Sequence, residues 1–256
     1  MDRWRGKTAI VTGAASGMGA AITQALLSKG INVVGLDIQK ERLEKTANET
    51  NKNKNFGKLH PIRCDLTQYD DIQKAFKFAD ENMGGVDIMV NNAGICNYSR
   101  IIDSDRQTFE RLLNIDVLAM ATCIKKAVAS MKARKVEGHI FNINSALGHI
   151  IPESGLSEKE GCNGWNLYPA CKHATVAMTE CVRNEIKAAK LPIRITGICP
   201  GLVKTEMGLN IPEVKEFVES LPRILPEDIA DALMYALGTR HEVQVSEMSI
   251  QRTGNN

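Results

Sequence analysis

The chain has 256 residues, enough to bury a substantial core in one α/β domain. Its 43% hydrophobic and 24% charged residues are ordinary for a globular protein, and a net charge of +2 gives no global case for binding nucleic acid or an anionic membrane. The seven cysteines, at 64, 96, 123, 162, 171, 181 and 199, are odd in number and contain no Cys-x-x-Cys, a pattern expected of reduced thiols in a cytoplasmic protein. No apolar run is long enough to span a bilayer, and no secretory leader is read at the start.

In chain order, residues 7–12 read as a buried strand, followed by a glycine-bearing turn at 13–19 and a helix at 20–29. Residues 32–37 form a second strand and 39–50 a charged helix, which runs into the polar loop 51–55. A third strand is expected at 60–64. Thr67 to Asp70 reads as a capping box opening a helix to about 82. A fourth strand covers 86–91. The long pattern 105–132 predicts one helix, with Phe109, Leu112, Leu113, Val117 and Met120 at helical spacing. A fifth strand at 138–144, a helix at 168–189, a sixth strand at 193–199, a helix from Pro226 to Leu237 and a last strand at 243–250 complete the chain. Alternating strands and helices predict a single doubly wound Rossmann-type domain over 1–256, with a parallel sheet of about seven strands covered on both faces.

Thr12-Gly13-Ala-Ala-Ser16-Gly17-Met18-Gly19 joins the first strand to the first helix. Glycines there allow a tight turn and close approach of a pyrophosphate to the helix N-terminus; a purely structural turn is the competing reading. Asp37 ends the second strand. A carboxylate there can accept both hydroxyls of an adenosine ribose and repels a 2′-phosphate, although a helix cap would explain it too. Ile38 and Gln39 offer no cation, and Lys40 and Arg42 are expected to point outward, so NAD is favoured over NADP. Tyr168 and Lys172 lie one helical turn apart on one face. The lysine favours the phenolate and lowers the tyrosine pKa, as a proton handler for an alcohol and its carbonyl would need. By itself that spacing is more often a solvated helix face.

Together these pieces resemble the classical short-chain dehydrogenase/reductase family. The matching residues are Thr12-Gly-x-x-x-Gly-x-Gly19, Asp65, Asn91-Asn92-Ala93-Gly94, Ser145, Tyr168-x-x-x-Lys172 and Pro200-Gly201 followed by Thr205. Gly138-His-Ile-Phe-Asn-Ile-Asn-Ser145 and the ending after Leu225-Pro-Glu-Asp are similar to the branch of insect farnesol dehydrogenases and the vertebrate family member 11. The resemblance implies an oxidoreductase with Tyr168 as general acid/base, Lys172 also holding the nicotinamide ribose, and Ser145 binding the substrate oxygen. It implies cofactor contacts from Gly13, Ser16, Gly17, Met18 and Gly19, from Asp37 and Ile38, and from Asp65 and Leu66. Asn92, Ala93 and Gly94 would line the cleft, while Pro200, Gly201, Val203 and Thr205 would seat the carboxamide. A homodimer or homotetramer built on the two long helices is also implied.

Two departures stand out. The family's catalytic asparagine aligns with Asp116, in Leu112-Leu113-Asn114-Ile115-Asp116-Val117, which adds a carboxylate near Lys172. Ser145 and Tyr168 are separated by 23 positions, against about a dozen implied by the resemblance. The substrate-loop region 146–167 is therefore expected to loop out, its segment Ile151–Asn166 forming a wall of the pocket, and 202–225 to form an apolar lid, with Val214, Phe217, Val218 and Leu221 on one face. That lid favours a lipophilic alcohol or carbonyl, such as an isoprenoid alcohol like farnesol or a hydroxysteroid; packing on the protein's own core is the alternative. His139, His149 and His173 read as a strand edge, a loop and a helix flank, with no metal constellation and so no metal expected. An NADP-dependent carbonyl reductase and a weakly catalytic dinucleotide sensor are the competing functions.

Overall fold

The computed structural model describes residues 1–151, 164–207, 215 and 219–254. Seven parallel strands form one sheet in the order β3-β2-β1-β4-β5-β6-β7. They are β1 (Thr8–Thr12), β2 (Asn32–Asp37), β3 (Leu59–Arg63), β4 (Ile88–Asn91), β5 (Gly138–Ile143), β6 (Ile193–Pro200) and β7 (Glu247–Ile250). The central strands alternate their apolar side chains between two cores. Val11, Phe141 and Ile143 face α1 (Gly17–Ser28), α2 (Lys40–Thr50) and α7 (Pro226–Gly238), with Leu26, Leu43 and Leu233 in that layer. Ile10 and Ile140 face α3 (Tyr69–Met83), α5 (Ala119–Arg134) and α6 (Tyr168–Ala188), with Phe76, Ile124 and Ile186 in that layer. A strand buried on both faces reads as a continuous apolar run, which is why β1 and β4 have no polar stripe.

The chain winds outward in opposite directions from β1 and β4, so a crevice opens at the carboxyl ends of those strands. The glycine turn, the Asn91–Gly94 turn and the residues after β5 all empty into it.

Several expected boundaries shift, each for a local reason. The first helix begins at Gly17 rather than 20, because Gly17 at φ +50° turns the backbone into it. Thr67 does not open a capping box: its hydroxyl goes to Asp65 Oδ1 at 2.7 Å, and Gln68 caps α3 without a side-chain bond. The expected helix 105–132 is α4 (Arg106–Leu113), a wide π turn at Asn114–Leu118, and then α5. The last strand starts at Glu247 rather than 243, since the preceding residues leave the sheet through hydrogen bonds such as Thr196 Oγ1 to the Val245 carbonyl. His139 lies inside the sheet, fully buried between β4 and β6, with Nε2 2.9 Å from Thr196 Oγ1. Of the expected lid, Val214, Phe217 and Val218 lie outside the described residues, as does most of the segment Ile151–Asn166. Among the described residues, no helix is long and apolar enough to cross a membrane.

Candidate active site

β5 delivers Ser145 to the crevice in an extended conformation, where its hydroxyl oxygen accepts from the Leu147 N–H at 3.1 Å and caps a short 3-10 turn. Tyr168 is the first residue of α6, and Pro169 behind it supplies a φ already suited to a helix start. The Tyr168 phenol lies beside the Ser145 hydroxyl, near enough to feel it. Lys172, one turn on, is 97% buried; its Nζ lies 5.3 Å from the Tyr168 ring centroid and donates to the Ile143 carbonyl at 3.3 Å. The helical spacing thus brings hydroxyl, phenol and ammonium to one point at the end of β5.

Asp116 completes the cluster. The π turn swings it inward until it is fully buried, with Oδ1 3.4 Å from Lys172 Nζ and Oδ2 accepting from the Ile95 N–H at 3.2 Å. Such turns interrupt helices frequently at functional sites. The ion pair is longer than a charge-assisted hydrogen bond, so Oδ1 lacks a close donor. Gly94 makes the approach possible: a Cβ there would sit 2.7 Å from Asp116 Oδ1.

The electrostatics reverse one expectation. Burial pushes the Tyr168 phenol up, and Asp116 and Cys96 push the same way. Lys172 and the neighbouring Ser145 hydroxyl pull it down but do not prevail. The lysine acts in the expected direction, but the net shift is upward because the phenol has left water and faces a carboxylate. Burial likewise raises the Asp116 carboxyl against the pull of Lys172. For Lys172, burial disfavours the charge, yet Tyr168 and Asp116 hold its proton more tightly than usual. At neutral pH the cluster therefore keeps its phenolic proton.

The opposite end of the crevice suits a dinucleotide. Gly13 and Gly17 have φ of +65° and +50°. A Cβ at Gly13 would come within 2.9 Å of Asn92 Nδ2, and one at Gly17 within 3.0 Å of the Thr205 methyl, so side chains would fill the cradle. Ser16 and Met18 flank these glycines half-buried, and Gly19 packs against the Gly13 carbonyl. Asp37 accepts from the Ala15 N–H at 3.0 Å through Oδ2 and from the Gln39 N–H at 2.9 Å through Oδ1. Each oxygen keeps a further lone pair for a ribose hydroxyl. Ile38 stands exposed beside it, an apolar surface for a base. Asp65 turns back on Thr67, whose hydrogen bonds hold its carboxyl below the usual range, and Leu66 is half-buried next to it.

Asn92 and Ala93 are fixed by Thr12: both main-chain N–H groups donate to its hydroxyl at 3.0 Å, and Asn92 Nδ2 donates to its carbonyl. Asn92 Oδ1 is buried without a partner among the described residues. An unpaired acceptor, a glycine cradle and a ribose-ready carboxylate together fit a dinucleotide. The Gly201 main-chain N–H donates to the Ile250 carbonyl just after β6 and its terminal Pro200, and Val203 turns its side chain into the core. The loop then returns Thr205 over the glycine turn.

Arg42 does not point away, as its sequence neighbourhood suggests. It forms a two-pronged ion pair with Glu206, at 2.9 and 2.7 Å, between the start of α2 and the residue after Thr205. Lys40 pairs with Glu44 at 3.0 Å. Nothing in the local spacing announces Tyr98 and Trp165, whose rings meet at 5.0 Å beside the cluster. Asn166 anchors that corner by donating to the Ser99 carbonyl and hydroxyl. Only the meeting of two distant segments creates this aromatic wall.

His149 departs from its expected isolation. It lies 3.0 Å from Glu247 and 3.5 Å from Cys199. The sheet brings together the end of β6, the start of β7 and the turn after β5; His149 and Cys199 are 50 residues apart in sequence. His173 stays on its helix flank, with Nδ1 2.9 Å from the Pro169 carbonyl.

Comparison with known proteins agrees with the fold and the family resemblance. The sequence model described as short chain dehydrogenase matches residues 7–216. Farnesol dehydrogenase of Aedes aegypti is 42% identical, covering 99% of each chain. Dehydrogenase/reductase SDR family member 11 of Bos taurus is 36% identical over 99% of this chain and 98% of its own. A short-chain type dehydrogenase/reductase from Mycobacterium marinum superposes with a TM-score of 0.83 at 26% identity, covering 97% of this chain and 95% of that one. The chain belongs to the short-chain dehydrogenase/reductase family of oxidoreductases.

Proposed function

We propose that the chain is an NAD-linked dehydrogenase of lipophilic alcohols, using Tyr168 as general acid/base. The observation that carries this reading is the burial of Tyr168 with Lys172, beside Ser145, at the mouth of the crevice. The bound nicotinamide supplies the hydride chemistry. Ser145 orients the substrate oxygen and stabilises the charge that develops on it. In the oxidative direction Tyr168, as phenolate, takes the hydroxyl proton. In the reductive direction the phenol returns it to the carbonyl oxygen. Lys172 steadies the phenolate by its charge, and Asp116 fixes the position of Lys172. Because burial keeps the phenol protonated, oxidation gains as pH rises while reduction does not need alkali.

NAD is supported by Asp37, and by Arg42 and Lys40 each being engaged by a carboxylate. A lipophilic substrate is supported by the Tyr98–Trp165 pair beside the cluster and by the farnesol named for the Aedes relative. We further infer a homo-oligomer and a cytoplasmic setting; the exposed Leu113 and Leu118 on the helical arm α4–α5 support the first, the six cysteines held as thiols among the described residues the second.

The test follows the reduced-nicotinamide absorbance with NAD or NADP and a panel of farnesol, geraniol, hydroxysteroids and simple secondary alcohols. NAD-linked turnover of a lipophilic alcohol is expected. Tyr168→Phe should lose roughly 10²- to 10⁴-fold in kcat while still binding NAD. NADP-only turnover would overturn the reading of Asp37, and an active Tyr168→Phe enzyme would overturn that of Tyr168.

A further inference from the structure

We propose that His149, Cys199 and Glu247 form a zinc-binding site, distinct from the Ser145–Tyr168–Lys172 cluster. Imidazole, thiol and carboxylate are the three donor types that zinc takes. Their nearest atoms all lie within 4.8 Å of one another. The separations match a tetrahedral ion. Bonds of about 2.3 Å to sulfur and about 2.0 Å to nitrogen and oxygen place S and N about 3.5 Å apart, and N and O about 3.3 Å apart. His149 Nε2 lies 3.5 Å from Cys199 Sγ and 3.0 Å from Glu247 Oε1. Both separations from the imidazole therefore lie within a few tenths of an ångström of the tetrahedral values, and the sulfur and the carboxylate lie within 4.8 Å of each other.

The sheet builds the triangle. Glu247 pairs with Gly197, which lies two residues before Cys199 on β6, so Gly197 and Cys199 share a face. The Glu247 carboxylate and the Asn144 amide converge over Gly197: a Cβ there would lie 3.5 Å from Glu247 Oε2 and 3.3 Å from Asn144 Nδ2. Asn144 is 97% buried, and its side-chain amide makes no conventional hydrogen bond among the described residues. It stands close enough to Cys199 to donate to a metal-bound thiolate, as the outer partners of metal ligands do. His149 and Glu247 are both partly exposed, with side-chain exposures of 42% and 38%, which leaves an entry path and room for water as a fourth ligand.

Binding exchanges protons for the metal. The ion takes the thiol sulfur as thiolate, the neutral imidazole nitrogen and the carboxylate oxygen, and the thiol proton leaves to solvent. No electron moves and no other reactant is required. The Asn144 main-chain N–H donates to the Ile198 carbonyl at 2.7 Å, next to Cys199, so the site abuts the strand end that carries the proposed oxygen-binding hydroxyl.

The experiment uses the full chain freed of metal by chelator and dialysis. Zn²⁺ is titrated by calorimetry, and Co²⁺ by absorbance. The expected results are one equivalent of Zn²⁺ and a cobalt adduct with a thiolate-to-metal band in the near ultraviolet. Cys199→Ser should abolish that band. Glu247→Gln and His149→Ala, at exposed positions that folding tolerates, should weaken Zn²⁺ binding on the order of 100-fold, at least as much as losing an outer partner would. Cys181→Ser, which removes an exposed thiol elsewhere, should change neither result. Failure to bind Zn²⁺, undiminished affinity in Glu247→Gln and His149→Ala, or a cobalt band that survives in folded Cys199→Ser would overturn the proposal. Loss of the band in Cys181→Ser would overturn it as well, by assigning the metal to another thiol. Each readout is independent of turnover, so its failure is separate from any failure of the proposed dehydrogenase activity.

Discussion

Asp37 and Asp116 are both buried carboxylates beside the crevice, yet they are held in opposite ways. Asp37 ends a strand, and two main-chain N–H groups, from Ala15 and Gln39, take its oxygens. Those donors are fixed by the sheet and the glycine turn, so its position follows from topology. Asp116 sits in a π turn and depends on one side chain, Lys172, at 3.4 Å, together with the Ile95 N–H. A carboxylate held by the backbone is a rigid recognition element. One held by a buried ammonium is part of a charge cluster, and altering either partner changes both.

Removing Asp116 therefore tests the sharper side of the contrast. Asp116→Ala leaves the Lys172 ammonium buried without its partner and the Ile95 N–H unpaired. Loss of one member of a buried pair costs about 3–5 kcal/mol. For a chain of this size that is a fall of at least about 6 °C in melting temperature by differential scanning calorimetry. Asp116→Asn keeps an oxygen for Ile95 and should cost less. It also removes a charge that raises the Tyr168 phenol above its ordinary value of 10.0. The tyrosinate absorbance missing from Tyr168→Phe should then appear at lower pH in Asp116→Asn than in the parent protein. If the two titrations coincide, Asp116 has no electrostatic hold on the phenol.

The matching change at the backbone-held site is Asp37→Ala. It deletes an acceptor for the ribose and leaves two main-chain donors without their partner. A hydrogen bond to a charged group contributes about 1.5–3 kcal/mol, so NAD affinity should fall roughly ten- to hundredfold. The Tyr168 titration should not move, since Asp37 is not among the groups acting on it. Calorimetric titration with NAD, beside the phenol titration, reads both. A shift in the phenol would mean that the two carboxylates are not independent, and the contrast would fail.

The same contrast explains which features were legible in the sequence. The parallel sheet followed from apolar runs in strands such as Val33–Leu36, and the crevice from Gly13, Gly17 and Gly19, because backbone-determined features leave local marks. The Tyr168–Lys172 face followed from helical spacing. The π turn left no such mark: Asn114–Leu118 has ordinary helical composition, and an extra residue in a turn changes no periodicity strongly enough to read. Thr67 satisfied the capping pattern, but its hydroxyl and N–H both donate to Asp65, a partner that the motif does not include. Tyr98 with Trp165, and His149 with Cys199 and Glu247, meet only because distant segments converge. The net direction of the Tyr168 shift required burial, which spacing alone does not supply.

Arg42 and Glu206 carry the smallest expected effect and refine the Asp37 side of the comparison. They are 164 positions apart, and the pair joins the start of α2 to the loop that lies over the glycine turn. Both side chains are about half exposed, at 43% and 56%, so water and salt screen the attraction. Glu206→Gln should change stability by less than about 1 kcal/mol. Its informative effect is on recognition. Glu206 supports the Arg42 charge more than any other group, and Asp37 adds to it. Taking Glu206 away leaves the guanidinium with fewer acceptors beside the place where a 2′-phosphate would lie. NADP binding should then improve severalfold, by less than about tenfold because Asp37 still repels the phosphate, while NAD binding stays nearly constant. Parallel titrations with the two dinucleotides at low and high salt read the difference, and the NADP gain should shrink as salt rises. An equal gain for NAD would assign the effect to a loosened loop instead of a freed cation, and Asp37 alone would then carry the discrimination.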